Sequence, residues 1–374
     1  MDMSESSGYE DFEWAVKLNR LSLNLIGLWP TANKDAIKIF GPDIRVAFTF
    51  IVITFGTLIP LFCALVRVWG DLILMVDNFR ITLPMMMLSM KLVILRWKQT
   101  VLLSIINTMA EDWIASKVVA ERDVMIRRAR TAHIFVIFGY LMMGIALITL
   151  IILPSFGIQM RHITNLTDRN KPLPMQTYYF YDTDRSPQFE LTFLIQAITV
   201  VQSAIILHVD RFTFGSRDPS YLRPIGELQA YAKNIESVFT LILFVLILQF
   251  AVVFCLSAFL LLTVLANKNT HKVNYSQLSY VAIVVVSLLI QTFCYCFGAD
   301  LITEQCDAVY QTICDLEWYT LEARKARNLI LLTLLAKQPF RLTAGKVFPL
   351  TVSTFCSLLK TSAGYISFLL AMRN

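Results

Sequence analysis

Apolar positions fill seven long stretches of this chain, and polar residues fall mainly between them. A bilayer with a hydrocarbon core about 30 Å thick needs about 20 apolar residues for each spanning helix. The stretches are residues 46–66, 72–95, 134–153, 191–207, 238–266, 280–297 and 347–372. Because backbone groups find no water inside a bilayer, we expect each stretch to be a helix. The pattern therefore predicts an all-α bundle of seven transmembrane helices.

Residues before the first stretch predict a further helix. Its apolar positions recur at helical spacing, which is typical of a short amphipathic helix lying against the bundle or the membrane surface. They are Trp14, Leu18, Leu21, Leu25 and Leu28. The acidic residues 1–11 are expected to be loose, and with no basic head or cleavage site there we expect no secretory signal peptide.

The seventh stretch carries its small and polar residues on one face. At 100° per residue they form a stripe about 80° wide, made of Thr354, Ser357, Thr361, Gly364 and Phe368. Much of the remaining surface is apolar, with Phe355, Leu359, Ile366 and Leu370. Such a stripe faces either another helix, since small residues let helices approach closely, or water, which in a multi-helix protein means a conduit. The pattern alone leaves both alternatives open.

Composition and charge support the membrane assignment and indicate an orientation. The chain is 56% apolar and 16% charged, whereas soluble domains are about 25% charged. With the N-terminus inside the cell, 22 Lys and Arg lie in inside segments and nine in outside segments, as the positive-inside rule favours. The same orientation places both N-glycosylation sequons, at Asn165 and Asn274, outside. We expect a cytoplasmic N-terminus and an extracellular C-terminus.

Several function classes are disfavoured. A seven-helix G-protein-coupled receptor has its N-terminus outside, and the Asp-Arg-Tyr and Asn-Pro-x-x-Tyr motifs of such receptors do not occur at the corresponding positions. Cys294 and Cys296 have no partner pair with zinc-ligand spacing, and all seven cysteines lie in spans or on the expected cytosolic side. No nucleotide loop, serine elbow or carboxylate pair is visible. We therefore expect no enzyme, metal, cofactor or nucleic-acid partner.

Residues near the C-terminus resemble a known family. Segment 355–370 closely resembles the last-helix signature of insect odorant receptors, particularly those of ants, bees and wasps. Trp318-Tyr319 and segment 338–346 are similar to the same family. Gly364-Tyr365 and the ending Ala371-Met372 favour an odorant receptor over the related gustatory receptors. The stretch from Arg211 to Lys233 is shorter than is usual in the family, which leaves open a short form or an incomplete sequence.

The resemblance implies a ligand-gated, non-selective cation channel. Family members form tetramers around one pore lined by the last helices. This chain would be the odour-tuning subunit of a heterotetramer with the shared odorant receptor co-receptor, a multi-pass glycoprotein in the plasma membrane of olfactory sensory neurons. The implied regions are a cytoplasmic segment 1–43, a ligand-binding bundle 44–298, a cytosolic anchor 299–346 with a basic helix over 315–335, and a pore-lining helix 347–374.

The resemblance also implies sites. An aliphatic and aromatic pocket in the outer half of the bundle would bind small hydrophobic volatiles, and the nominated residues are Val76, Phe79, Leu83, Leu141, Gly144, Ile148, Phe193, Leu194, Ile198, Tyr280, Ile283 and Ser287. Arg80 or Tyr280 would offer a hydrogen-bond donor. The pore and gate would be formed by Thr354, Ser357, Thr361, Gly364, Phe368 and Met372.

Two lysines lie within predicted spans. We expect Lys91 to snorkel toward the inner interface, and Lys360 either to snorkel or pair, or to border the pore. Two other functions stay open: a gustatory-type channel that works without the co-receptor, and a metabotropic seven-helix receptor.

Overall fold

The computed structural model describes residues 3–29, 36–115, 119–157, 173–175, 177–208, 225–266, 275–315, 333 and 342–373. The elements in chain order are α1 Met3–Ile26, α2 Ala36–Ile53, a π-helical turn Thr54–Leu58, α3 Ile59–Arg67, α4 Leu72–Trp97, α5 Gln99–Ala115, α6 Val119–Leu147, a second π-helical turn Ile148–Ile152, α7 Leu153–Ser155, α8 Gln188–His208, α9 Ile225–Ala266, α10 Tyr275–Asp315, β1 Thr343–Ala344, β2 Phe348–Pro349 and α11 Val352–Arg373.

The predicted helical bundle is confirmed. Six helices in the described ranges are long and apolar enough to cross a membrane: Asp43–Arg67, Leu72–Trp97, Val136–Ser155, Gln188–Leu207, Glu236–Leu262 and Leu278–Leu301. The second is unbroken despite its four charged residues and an internal Pro84. The seventh predicted span corresponds to the 22-residue helix α11, which is less apolar because it contains Lys360 and several Ser, Thr and Gly residues.

Helix α9 lies at the centre of the bundle. It contacts α4, α5, α10, α11 and the first strand of the hairpin. Phe239, Leu243 and Leu260 along its length are fully buried, each no more than 1% exposed. The neighbours of this 42-residue helix therefore cover it at points along its whole length.

Helix α1 packs on α5 through a face that the sequence analysis did not select. Its buried residues include Phe12, Val16 and Ile26. By contrast, Leu21 and Leu25 from the predicted apolar face are 70% and 61% exposed. The predicted amphipathic helix exists, but only Leu28 of the five predicted apolar positions is buried, so other residues form most of the face that packs on the bundle.

Two predicted boundaries are corrected. Helix α1 begins at Met3, so most of the N-terminal stretch expected to be loose is helical. The last helix begins at Val352 rather than at Val347. Residues before it form a two-stranded antiparallel hairpin in which Thr343 pairs with Pro349. The apolar run continued through the hairpin, and hydropathy alone does not separate a strand from a helix.

Candidate ligand site and outward face of the last helix

One end of the bundle is covered by ordered connecting segments, and we call it the loop end. It is defined by the turn at residues 68–71 and by the segment at residues 173–187, of which residue 176 lies outside the described part of the chain. Asp71 caps α4 there, since its Oδ1 accepts hydrogen bonds from the backbone N–H groups of Ile73 and Leu74 at 3.0 and 3.2 Å. The cap fixes the start of the helix that carries the buried charges described below.

Gln196 on α8 holds the 173–187 segment to the bundle. The backbone N–H of Met175 donates to its Oε1 at 2.8 Å. Its Nε2 donates to the Met175 carbonyl at 3.0 Å and lies 3.1 Å from Thr177 Oγ1 and 3.0 Å from Tyr179 Oη. Gln196 and Thr177 are fully buried. We call this set of contacts the Gln196 clamp.

Tyr179 ties the same segment to the first span. Its hydroxyl donates to the backbone carbonyl of Gly56 at 2.8 Å. Burial raises the pKa of the Tyr179 phenol above its usual value, so the donor proton is retained at any physiological pH. A Cβ on Gly56 would lie 2.6 Å from Cγ2 of Ile195, and this position therefore accommodates only glycine without a shift of α8.

Helix α4 buries an ion pair inside the bundle. Arg80 Nη2 lies 2.8 Å from Asp77 Oδ1, and the two side chains are 1% and 0% exposed. The Arg80 guanidinium carbon lies 5.2 Å from the ring centroid of Tyr280 on α10, a cation–π distance. Within the described structure, the Nε and Nη1 atoms of Arg80 have no hydrogen-bond partner. The pair therefore joins α4 to α10 while leaving part of the guanidinium unused.

The structure places the nominated pocket residues in different environments. Val76 and Tyr280 are buried, while Leu141, Ile148 and Leu194 are 59%, 49% and 58% exposed. The half-buried members are Phe79, Leu83, Gly144, Phe193, Ile198, Ile283 and Ser287. Their role in binding stays a prediction. Sequence analysis noted Arg80 as a donor but missed its partner, although the three-residue spacing to Asp77 was the available signal.

The last helix packs against the bundle through its apolar face. The ring of Phe355 lies 6.2 Å from that of Phe250 on α9 and 5.8 Å from that of Phe293 on α10. Ser362, two turns further along the same face, is 3% exposed. Phe355 thus belongs to the core of the chain itself, which explains why an apolar residue is needed there.

The small and polar stripe lies on the opposite side. Ser357, Thr361 and Gly364 are exposed, and Thr354 is half-buried. A Cβ on Gly364 would meet no atom within 4 Å. The side chains of Phe368 and Met372, the nominated gate residues, lie outside the described part of the structure. The sequence analysis left open whether the stripe faces another helix or water. At the exposed positions of the stripe, no helix of the same chain packs against it.

Hydrogen bonds fix the start of the last helix to the bundle. Asp300 on α10 accepts the backbone N–H of Val352 through its Oδ2 at 2.7 Å. The hairpin is tied to α9, where the carbonyl of Thr240 accepts the N–H of Gly345 at 3.0 Å and the Thr240 hydroxyl donates to the Thr343 carbonyl at 3.0 Å. Helices α9 and α10 therefore both hold the base of α11.

The two intramembrane lysines differ. Lys91 is 1% exposed and donates from Nζ to the Leu207 carbonyl at 3.3 Å, so the expectation that it snorkels to an interface is corrected. Lys360 is exposed. The sequons at Asn165 and Asn274, like most of the anchor helix expected over 315–335, lie outside the described residues. Among the described residues, no group of three His, Cys, Asp or Glu side chains is arranged to hold a metal.

Comparison with known proteins bears on the family. Residues 227–363 match the profile of the family described as 7tm Odorant receptor. The resemblance to insect odorant receptors is confirmed. Odorant receptor 10 of Aedes albopictus is 30% identical over 145 residues, which cover 39% of this chain and 36% of that protein. Odorant receptor 22c of Drosophila melanogaster is 31% identical over 125 residues, 32% of this chain and 31% of the relative. The matched region thus spans about a third of these odorant receptors.

Solved structures show the same fold. The insect olfactory receptor OR5 from Machilis hrabei superposes with a TM-score of 0.75 at 13% sequence identity, over 97% of this chain and 99% of that one. The same receptor in complex with eugenol gives a TM-score of 0.74 at 14% identity. The odorant receptor match and this likeness together confirm the seven-helix bundle and agree with the expectation that the chain is not an enzyme.

Proposed function

We propose that this protein is an odour-tuning subunit of a ligand-gated, non-selective cation channel, and that its last helix lines the pore. The observation that carries the proposal is the orientation of α11. Its apolar face is used inside the chain, through Phe355 against α9 and α10, whereas Ser357, Thr361 and Gly364 face outward.

Physical chemistry favours water or a neighbouring subunit on that outward face. Hydroxyl groups gain nothing from lipid tails, and a residue without a side chain offers them little contact. Ser and Thr hydroxyls bordering a conduit stay hydrated, and small residues leave it wide. In a ring of four subunits, each contributing one such face, the stripes would surround a common axis.

An apolar residue near one end of that conduit would act as the gate. Phe368 continues the stripe, and Met372 follows one turn later. An apolar constriction stops ions by dewetting. A ligand that binds the open form better would shift the population toward it, drawing Phe368 away from the axis.

The ligands would be small hydrophobic volatiles bound between α4, α6, α8 and α10 near the loop end. Apolar burial contributes roughly 25 cal/mol per Å², and the nominated residues there are mostly aliphatic and aromatic. The eugenol complex of the structurally similar receptor supports a small-molecule site in this fold.

The proposed setting is the plasma membrane of an olfactory sensory neuron. The N-terminus lies in the cytoplasm and the loop end outside, with the shared co-receptor as the other subunit and lipid around the bundle. The lysine and arginine distribution supports this orientation. On surface-expressed protein, a C-terminal tag should be labelled without permeabilisation and an N-terminal tag should not; the reverse pattern would rule out the topology.

Whole-cell recording tests the function directly. Cells expressing this chain with the co-receptor should give fast cation currents to members of an odour panel, and cells lacking the co-receptor should give none. Currents without the co-receptor would select the gustatory-type alternative. Slow responses abolished by a G-protein blocker would select the metabotropic one.

Two serines on α11 provide a matched test of pore lining. Ser357 is exposed on the stripe, and Ser362 is buried on the packed face. The variants Ser357→Cys and Ser362→Cys therefore introduce the same side chain on opposite faces of α11. Because the native Cys356 is also exposed, both are made in a Cys356→Ala background. A charged, thiol-reactive reagent should block current through Ser357→Cys channels only. Equal block, or none, would refute pore lining by this face.

A further inference from the structure

We propose that Arg80 selects neutral ligands carrying a hydrogen-bond acceptor oxygen, such as ketones, aldehydes, esters or alcohols, over hydrocarbons of the same shape. This inference deepens the proposed function and rests on it, because it assigns a chemical class to the same ligand site. It is argued from the unused part of a buried guanidinium.

Burying this group is costly. Asp77 and Arg80 lie in an apolar bundle, and both side chains are no more than 1% exposed. Removing two charges from water costs several kcal/mol per ion even after relaxation, and their mutual attraction recovers this only when the remaining donors are also satisfied. Ionisable groups within membrane spans therefore mark functional positions more often than structural ones.

The remaining donors of Arg80 are not satisfied by the chain. Nη2 lies 2.8 Å from Asp77 Oδ1, and the guanidinium carbon lies over the Tyr280 ring, 5.2 Å from its centroid. Nε and Nη1 are buried and lack a partner among the described residues. Guanidinium N–H groups point outward in the plane of the group, so each of these two donors can accept a hydrogen-bond partner of its own beside the existing contact to Asp77.

Location supports a ligand as the missing acceptor. Arg80 lies eight residues from the start of α4 at Leu72, which places it about 12 Å along the helix from the loop end. Tyr280, on the facing helix, and Val76, one turn before Arg80, are both buried. The donors therefore lie beside an aromatic ring and an aliphatic side chain, surroundings that suit a small molecule with one oxygen and an apolar body.

Charge selects a neutral ligand. Asp77 already neutralises the guanidinium, so a carboxylate ligand would introduce a second negative charge into an apolar site. A hydrocarbon would leave two buried donors unpaired. A neutral acceptor oxygen satisfies a donor without adding charge, and hydrogen bonds to charged groups are worth more than neutral ones.

Two compounds of nearly identical shape provide the probe. 2-Octanone and 2-methyl-1-octene share their carbon skeleton, with a carbonyl oxygen in the first and a methylene group in the second. In cells expressing the chain with the co-receptor, 2-octanone should act at a concentration about 10- to 100-fold lower, the range expected for one hydrogen bond to a charged donor. Ligand-induced thermal stabilisation of the purified chain should follow the same order without requiring a channel to open.

Arg80→Lys tests whether the guanidinium is responsible. Lysine keeps a positive charge beside Asp77 but lacks the planar fork, so the preference for the ketone should fall to within about threefold. Arg96→Lys is the matched control, since Arg96 lies on the same helix as Arg80, about 24 Å further along it, and pairs with Asp43 of α2. This control should keep the full preference.

The outcomes separate the two claims. If both compounds are equally potent and stabilise the chain equally, the inference about Arg80 is wrong. Currents in response to either compound would still support the proposed channel function. A preference that survives Arg80→Lys would also overturn the inference, because a group other than the guanidinium would then account for the preference. Stabilisation by 2-octanone without current under any ligand would support the inference and count against the channel function.

Discussion

At the residue scale, the bundle accommodates two opposite charges because they lie three positions apart on one helix. Asp77 and Arg80 face the same side of α4, and their contact at 2.8 Å forms without help from another element. The contact between the two side chains therefore lies within a single helix. Tyr280 then covers the guanidinium from α10.

Removing Asp77 should be severely destabilising. Asp77→Ala leaves the Arg80 charge buried without its carboxylate, which costs about 3–5 kcal/mol, and we expect a lower unfolding temperature in detergent and less protein at the surface. Asp77→Leu combined with Arg80→Leu should recover most of the loss. Asp43→Ala is the control, because its side chain is 47% exposed and pairs with the 38% exposed Arg96; it should cost no more than about 1 kcal/mol. Equal effects at Asp77 and Asp43 would contradict the buried-pair argument.

At this scale, the sequence reveals a residue as unusual only where that residue interrupts the apolar pattern of a predicted span. Charges interrupting an apolar run mark Arg80 and Lys91 at once. Their partners are harder to predict, because the carbonyl of Leu207, which accepts from Lys91, lies on another helix and carries no side-chain signal. Burial of Lys91 therefore required the structure.

At the element scale, the hairpin before α11 connects the last helix to α9 at the centre of the bundle. Its turn uses two residues with left-handed backbone, Gly345 at φ 63° and Lys346 at φ 61°. A Cβ on Gly345 would lie 2.7 Å from Cδ2 of Phe244 on α9. The turn can therefore approach α9 closely enough for the hydrogen bond to Thr240.

Gly345→Ala should loosen this connection. The substitution adds left-handed strain of about 1–2 kcal/mol and a collision with Phe244, so the unfolding temperature should fall. Gly157→Ala is matched, since Gly157 also has a positive φ, 78°, but open space around it, and it should show the strain alone. Adding Phe244→Ala to Gly345→Ala should relieve part of the loss. If Gly345→Ala costs no more than Gly157→Ala, close packing on α9 is unimportant.

The last helix shows which part of an element a pattern can predict. The division into a small-residue stripe and an apolar face was visible at 100° per residue, and the structure places these two faces on opposite sides. The hairpin was missed because Val347, Phe348 and Leu350 extend the apolar run without a break. The turn signal, Gly345, lay just before the run and was included in a family motif instead.

At the scale of the whole molecule, the outward stripe favours assembly with other subunits. In a single chain the hydroxyl groups and Gly364 of the stripe would face lipid, which is unfavourable, whereas neighbouring subunits would shield them from lipid. The number of spans and their order were predictable, because each helix carries its own apolar run. Packing between distant helices, such as Phe355 against Phe250 and Phe293, was not.

The gate assignment predicts a gain of function. Phe368→Ala should raise ligand-independent current in cells that also express the co-receptor, because a smaller side chain wets the constriction. Leu359→Ala is the control on the packed face, where the loss of apolar contact should reduce surface expression without raising basal current per channel. An unchanged basal current in Phe368→Ala, at equal surface expression, would exclude the gate role.

The Gln196 clamp is built from an amide, two hydroxyls and backbone groups, and no formal charge takes part. Dissolved salt weakens the attraction between exposed ions by screening. It does not weaken hydrogen bonds between neutral, buried groups to a comparable extent. Tyr179, whose burial raises its pKa, keeps its proton as well. The Gln196 clamp should therefore hold this segment on the bundle about equally well at low and high salt concentration.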